Sequence, residues 1–192
     1  MTLRLGILGS TRGTVMQSII DAVEDHSLDA SINLVISDKQ DAFILQRAQS
    51  HSIASCFIDP KGLSRDNYDA LTTQALEEAG VDLILLIGYM RILSKTFVEH
   101  WHHKVINVHP SLLPKHGGLM DKAVHQSVLE AGDTESGCTI HYVEEAVDAG
   151  KTVLQKKCGV SASDTVDTLK EKVQRLEKEA FIESIQMIGK NK

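Results

Sequence analysis

The stretch Leu3-Arg4-Leu5-Gly6-Ile7-Leu8-Gly9-Ser10-Thr11-Arg12-Gly13-Thr14 decides the fold. Leu3–Leu8 is apolar on both faces, as a strand buried between two layers must be. It runs into a loop of small residues, Gly9–Thr14, after which Met16, Ile19, Ile20 and Val23 fall at i, i+3, i+4 and i+7. That spacing puts their side chains on one helical face. Strand, loop, helix is the opening unit, and the chain goes on to repeat it.

Ile32–Ser37 and Ala54–Ile58 predict two more short strands, with a helix at Ala42–His51 between them. Tyr68, Leu71, Ala75, Leu76 and Ala79 mark one face of the next helix, which Gly80 stops. Asp82–Ile87 is the most apolar strand candidate and is expected at the sheet centre; a short helix follows, N-capped by Ser94. Val105–Val108 predicts a strand closed by His109-Pro110, because proline has no ladder donor and turns its predecessor away from the helical region. Then come a helix near Ala123–Ala131 and strands at Thr139–Val143 and Thr152–Val160. A long last helix follows, through Val166, Leu169, Val173, Leu176 and Ala180, with Asp164 as its N-cap. The alternation predicts an α/β, Rossmann-like fold: a mostly parallel, doubly wound sheet with an antiparallel extension, in a single domain over residues 1–192.

Composition narrows the function. With 42% hydrophobic and 24% charged residues the chain has the balance of a globular protein, and no apolar run approaches the ~20 residues that span a bilayer, so no membrane association is expected. The N-terminal run lacks the basic and cleavage regions of a secretory signal and reads as a buried strand. Cys56, Cys138 and Cys158 lie far apart and form no CxxC pair, which suits reduced thiols in the cytoplasm. A net charge of -6 offers no broad basic field, so nucleic acid is not an expected partner. The chain's own assembly stays open between monomer and homodimer.

Four places could carry chemistry. Gly9–Thr14 is either a plain strand-helix turn or an anion cradle of backbone N–H groups at a helix start, where Gly13 has no Cβ to block an approaching phosphate. Asn107 and His109 lie two apart at the end of a buried strand and therefore share a face at the sheet's carboxyl edge. They could donate to a carbonyl oxygen and relay a proton, or His109 could simply cap a loop. Asp148, in Val147-Asp148-Ala149-Gly150, is either chemical or a turn residue. Glu177, beside the apolar stripe of the last helix, could receive a cationic amine. His100, His102 and His103 have no carboxylate or thiol at ligand spacing and read as a solvated helix end. His141 fits either the core or a supporting place at a site.

Three ordered segments carry a resemblance: Gly88-Tyr89-Met90-Arg91-Ile92-Leu93, Asn107-Val108-His109-Pro110-Ser111-Leu112-Leu113-Pro114-Lys115 and Asp148-Ala149-Gly150-Lys151-Thr152-Val153-Leu154-Gln155. With them the chain resembles the phosphoribosylglycinamide formyltransferase family, the folate-dependent transformylases of purine synthesis, along nearly its whole length. The resemblance implies a formyltransferase fold and transfer of a formyl group from 10-formyltetrahydrofolate to the amine of 5'-phosphoribosylglycinamide, with no metal. It implies that Asn107, His109 and Asp148 are catalytic and that Gly13, Thr14 and Val15 bind the acceptor's phosphate, while Glu177 receives its amine. Arg65, Met90, Arg91, Ile92, Leu93, Asn107 and Val143 would bind folate. The chain departs from the family where Thr14-Val15 replaces the usual Ser-Asn pair, where Asp-Ala-Gly-Lys replaces Asp-Gly-Gly-Pro, and in a longer Leu119–His125 segment. Methionyl-tRNA formyltransferase and formyltetrahydrofolate deformylase share the core but are normally longer, and the acidic charge disfavours tRNA. A folate- or nucleotide-binding protein without turnover is the alternative from another class.

Overall fold

The opening unit forms where the sequence puts it: β1 covers Leu3–Leu8 and α1 covers Thr14–Glu24 in a computed structural model that describes residues 2–190. There follow β2 (Ala30–Ser37), α2 (Phe43–Ser50), β3 (Ser55–Phe57), α3 (Arg65–Glu78), β4 (Leu83–Leu86), α4 (Lys95–His100) and β5 (Val105–His109). The chain continues through α5 (Lys122–Glu130), β6 (Glu135–Tyr142), β7 (Thr152–Gly159) and α6 (Val166–Lys190). The strands make one seven-stranded sheet in the order β3-β2-β1-β4-β5-β6-β7. β1 to β5 run parallel, and β6 and β7 add antiparallel strands on the β5 side.

Alternation along the central strands explains the layers. In β4, Leu83 and Leu85 pack with Ile7, Met16 and Phe181, whereas Ile84 and Leu86 pack with Phe97 and Trp101. Successive side chains of a strand point to opposite faces, so a strand covered on both sides must be apolar throughout. Burying each such side chain stabilises the fold by about 1.5–3 kcal/mol. As expected, β4 lies at the middle of the sheet.

Some boundaries differ from expectation. β2 starts at Ala30, two residues earlier than expected, because Ser31 and Asn33 interrupt the apolar pattern while the ladder to β1 continues. β3 is shorter, Ser55–Phe57. β6 begins at Glu135 instead of Thr139: Glu135-Ser136-Gly137-Cys138 has little apolar signal, and pairing with residues 156–159 of β7 makes it a strand. The cap of α6 is Thr165, whose Oγ1 accepts the N–H of Thr168 at 3.2 Å. Asp164 instead accepts the N–H of Ser161 at 2.8 Å and Lys172 Nζ at 2.6 Å. No helix among the described residues is long and apolar enough to cross a membrane.

Candidate active site

The strand order reverses between β1 and β4, and in such sheets the crevice at the carboxyl ends of these strands is where ligands bind. Here the loops after β1 and β4 are tied together. Ser10 N–H donates to Gly88 O at 3.1 Å, and Met90 N–H donates to Ser10 Oγ at 2.9 Å.

One strand further along, β5 presents Asn107 and His109 on one face, opposite His141 and Thr139 of β6. The β6–β7 register slips between Ile140 and His141, a bulge of the kind that re-aims side chains beside functional sites. His141 is buried, and its Nδ1–H donates to Tyr142 O at 3.0 Å. Its Nε2 is then an acceptor, 3.4 Å from Asn107 Nδ2, which fixes which end of the Asn107 amide is the donor. Burial lowers the His141 pKa and keeps this ring neutral.

Asp148 arrives from the loop between β6 and β7, in a left-handed conformation with φ 56°. That loop doubles back so closely that a Cβ on Gly150 would lie 1.8 Å from Tyr142 O, so only glycine closes it. The Asp-Ala-Gly-Lys turn thus still delivers its carboxylate. Asp148 Oδ2 lies 3.1 Å from His109 Nδ1 and accepts the N–H of Gly118 at 2.8 Å, while Oδ1 lies 3.6 Å from His141 Nε2. Burial would raise the Asp148 pKa, but the His109 bond, the Gly118 N–H and the two imidazoles hold it below the usual carboxylate range. His109 Nε2 meets the backbone oxygen of His116 at 3.0 Å. Both ring nitrogens of His109 therefore face oxygen acceptors, a geometry that an imidazolium donating on both sides satisfies completely.

Glu177 of α6 is half-buried as a residue, yet burial of its carboxyl pushes its pKa up to about 7, against the opposing influence of Lys170 and His109. Asp121 is also near enough for its charge to act on the Glu177 carboxyl, in the raising direction. Gly13 is the N-cap of α1, left-handed at φ 63°, and no side chain caps that helix start. A Cβ there would lie 2.5 Å from Ile44 Cγ1, so the backbone angle and the seating of α2 each require glycine at this position. Thr14 is exposed, and the Val15 side chain is buried, leaving Val15 only its backbone to offer.

The residues assigned to folate separate into two groups. Leu93 and Val143 pack in the apolar layer with Phe97 and Trp101, whereas Met90 and Ile92 are 51% and 58% exposed. Arg91 stacks its guanidinium 4.2 Å from the Tyr68 ring centre, and Arg65 stands exposed one turn before Tyr68 on α3. His100 pairs with Glu77 at 2.8 Å and His102 stacks on His103, consistent with a surface helix end.

Sequence reasoning left His141 open and passed over His116 and His125, the last buried with its Nδ1 unpartnered. The signal for His141 was its place two residues after Thr139 in a strand, but which strand it faced depends on sheet register. A recess of about 560 Å³ lies elsewhere, between β7 and α6 at Lys156, Glu183 and Met187. Its charges already neutralise each other, with Lys156 Nζ 2.8 Å from Glu183.

Residues 3–185 match the family described as Formyl transferase. The Trifunctional purine biosynthetic protein adenosine-3 of Drosophila melanogaster is 42% identical over 188 residues, 96% of this chain. The chain spans only 14% of that relative's length. The Phosphoribosylglycinamide formyltransferase of Escherichia coli is 38% identical over 172 residues, 89% of this chain and 80% of that protein. Among solved structures, glycinamide ribonucleotide transformylase 1 from Symbiobacterium toebii superposes with a TM-score of 0.94 at 34% identity, covering 99% of this chain and 89% of that one. With this match over nearly its whole length and the trio assembled at the β5–β6 edge, the chain belongs to the formyl transferase family.

Proposed function

We propose that this chain transfers the formyl group of 10-formyltetrahydrofolate to the amine of 5'-phosphoribosylglycinamide in purine biosynthesis, in the cytoplasm, as a monomer or homodimer. The observation that carries the reading is the Asn107–His109–Asp148 constellation at the carboxyl edge of β5, with His109 buried and the other two half-buried. When the amine attacks, the formyl oxygen gains negative charge, and donors aimed at that oxygen lower the barrier. Asn107 Nδ2, oriented by His141, is one such donor. With His109 Nε2 committed to a backbone carbonyl, proton exchange with the substrates falls to Nδ1 and to the Asp148 carboxylate beside it.

The acceptor lies with its phosphate on the backbone of Gly13, Thr14 and Val15 and its amine toward Glu177. Folate lies across Met90, Arg91, Ile92, Leu93, Asn107 and Val143, with its glutamate tail toward Arg65. Formyl loss from 10-formyltetrahydrofolate, measured with and without 5'-phosphoribosylglycinamide, tests the reading. Loss only when the acceptor is present is expected. Equal loss in its absence would make the chain a deformylase, and folate binding without loss would make it a binding protein.

A further inference from the structure

We propose that His116 is a positioning residue for His109: its backbone oxygen accepts a hydrogen bond from His109 Nε2–H, and its own ring is clamped so that this oxygen stays in place. The inference deepens the reading of His109 as the proton-handling group of formyl transfer and rests on it.

The His116 carbonyl accepts from His109 Nε2 at 3.0 Å. Its ring is held at both nitrogens, with Nδ1 2.8 Å from Ser127 Oγ and Nε2 2.9 Å from Asp133 Oδ2. A neutral ring meets both contacts when Ser127 Oγ–H donates to Nδ1 and Nε2–H donates to the carboxylate. Ser127 belongs to α5, whose Val124 and Val128 are buried, so the clamp is anchored in a packed helix. Asp133 also accepts Lys115 Nζ at 2.8 Å.

The clamp has something to resist. His116 has φ 57°, in the left-handed region that a residue with a Cβ disfavours. Relaxing to a right-handed or extended conformation would turn the peptide plane after residue 116 and remove its oxygen from Nε2. Two residues on, the Gly118 N–H holds Asp148 at 2.8 Å, so one short segment fixes both His109 and its carboxylate partner. An imidazole that lost the Nε2 acceptor could rotate, and Nδ1 would no longer be held against Asp148. Displacements of about 1 Å at a reacting group commonly reduce rate by as much as about 10²-fold.

His116→Gly tests this directly, because glycine keeps the carbonyl and adopts the left-handed angle without strain while losing the ring. We expect kcat to fall by about 5- to 30-fold with both KM values changed less than about threefold. In nitrogen-15 NMR of the ligand-free protein, the His109 Nε2–H signal should lose its hydrogen-bonded position or broaden. Asp133→Asn, whose amide oxygen still accepts from the ring, should keep most activity. Asp133→Ala should resemble His116→Gly, and the double variant should be no worse than either alone. A His116→Gly enzyme with kcat within about twofold of wild type and an unchanged His109 signal would overturn the proposal. Absence of formyl transfer in the wild-type chain would instead sink the parent reading, and the NMR signal would still judge the clamp.

Discussion

At the corner where β5 meets the β6–β7 loop, His109 Nδ1, His109 Nε2 and Asp148 Oδ2 all meet partners within 3.1 Å, and the side chain of His109 is 4% exposed. Across the loop after β4 the situation is reversed. The hydroxyls of Tyr68 and Tyr89 and Nε of Arg91 are buried with no well-aligned partner, while Met90 and Ile92 present large apolar side chains to solvent. The corner is preorganised: its dipoles are already aimed, so no reorganisation is needed when charge develops. The rim has polar atoms and apolar surface still to be satisfied, which is what a surface looks like when a bound ligand completes it.

The contrast predicts where each substitution acts, and the corner should give the largest effect. His109→Ala and Asp148→Asn are each expected to lower kcat by at least ~10², the usual cost of one lost oxyanion or proton-relay contact. Folate Kd, followed by fluorescence titration, should change little. Near-normal turnover in either variant would show that the ordered corner is structural and that chemistry occurs elsewhere.

Glu177 lies between the two regimes, being deep like the corner but unpaired like the rim. Its pKa is pushed up from 4.5 to about 7, so burying it costs nothing below its ordinary pKa, where it is protonated in both states. The cost grows as pH rises from there and is complete above about 7. At 1.36 kcal/mol per pKa unit the penalty is at most about 3 kcal/mol. Glu177→Gln should therefore raise Tm at pH 8 by several degrees, given roughly 2–4 °C per kcal/mol at this size, and leave it nearly unchanged at pH 4. The same variant should raise the acceptor's KM about tenfold, since the carboxylate that costs stability is the group proposed to receive the amine. In the wild-type enzyme that KM should fall as pH rises through 7. Melting curves with the same gap at both pH values would mean that Glu177 is not titrating in the folded protein.

The same division explains what was legible in the sequence. The layers were legible because β4, and β1 apart from Arg4 near its start, are apolar on both faces, a pattern local to each strand. The start of β6 was not, because Glu135-Ser136-Gly137-Cys138 becomes a strand through pairing with β7, which no local pattern encodes. Asn107 and His109 stood out by sharing a face at a strand end, and Asp148 by its ordered place among the family's segments. The supporting groups were hidden. His141 meets Asn107 only through antiparallel register, and His116 meets His109 through a carbonyl, an atom that every residue has and no side-chain identity announces. A second demand on Gly13 was hidden, since the side chain that a Cβ there would meet is Ile44 of α2, which no pattern around Gly13 announces.

The smallest effect belongs to the rim, and it tests the contrast most sharply. Ile92 is 58% exposed, so its truncation removes few contacts from the ligand-free fold, and Tm should move by less than about 1 °C. If folate covers it, Ile92→Ala forfeits part of the ~1.5–3 kcal/mol that full burial of such a side chain is worth. A loss near 1 kcal/mol weakens folate binding about fivefold. The variant should keep kcat, because it touches neither the donors nor the proton path. Leu93→Ala, one residue further on and buried among Phe97 and Trp101, should act chiefly on the fold: a loss of about 2–5 kcal/mol in stability, well beyond what its contact with folate is worth. Calorimetric titration of folate beside a melting curve for each variant separates the two. Should Ile92→Ala reduce kcat as severely as Asp148→Asn, the rim would be part of the preorganised machinery, and the difference in hydrogen bonding between the two regions would carry no functional meaning.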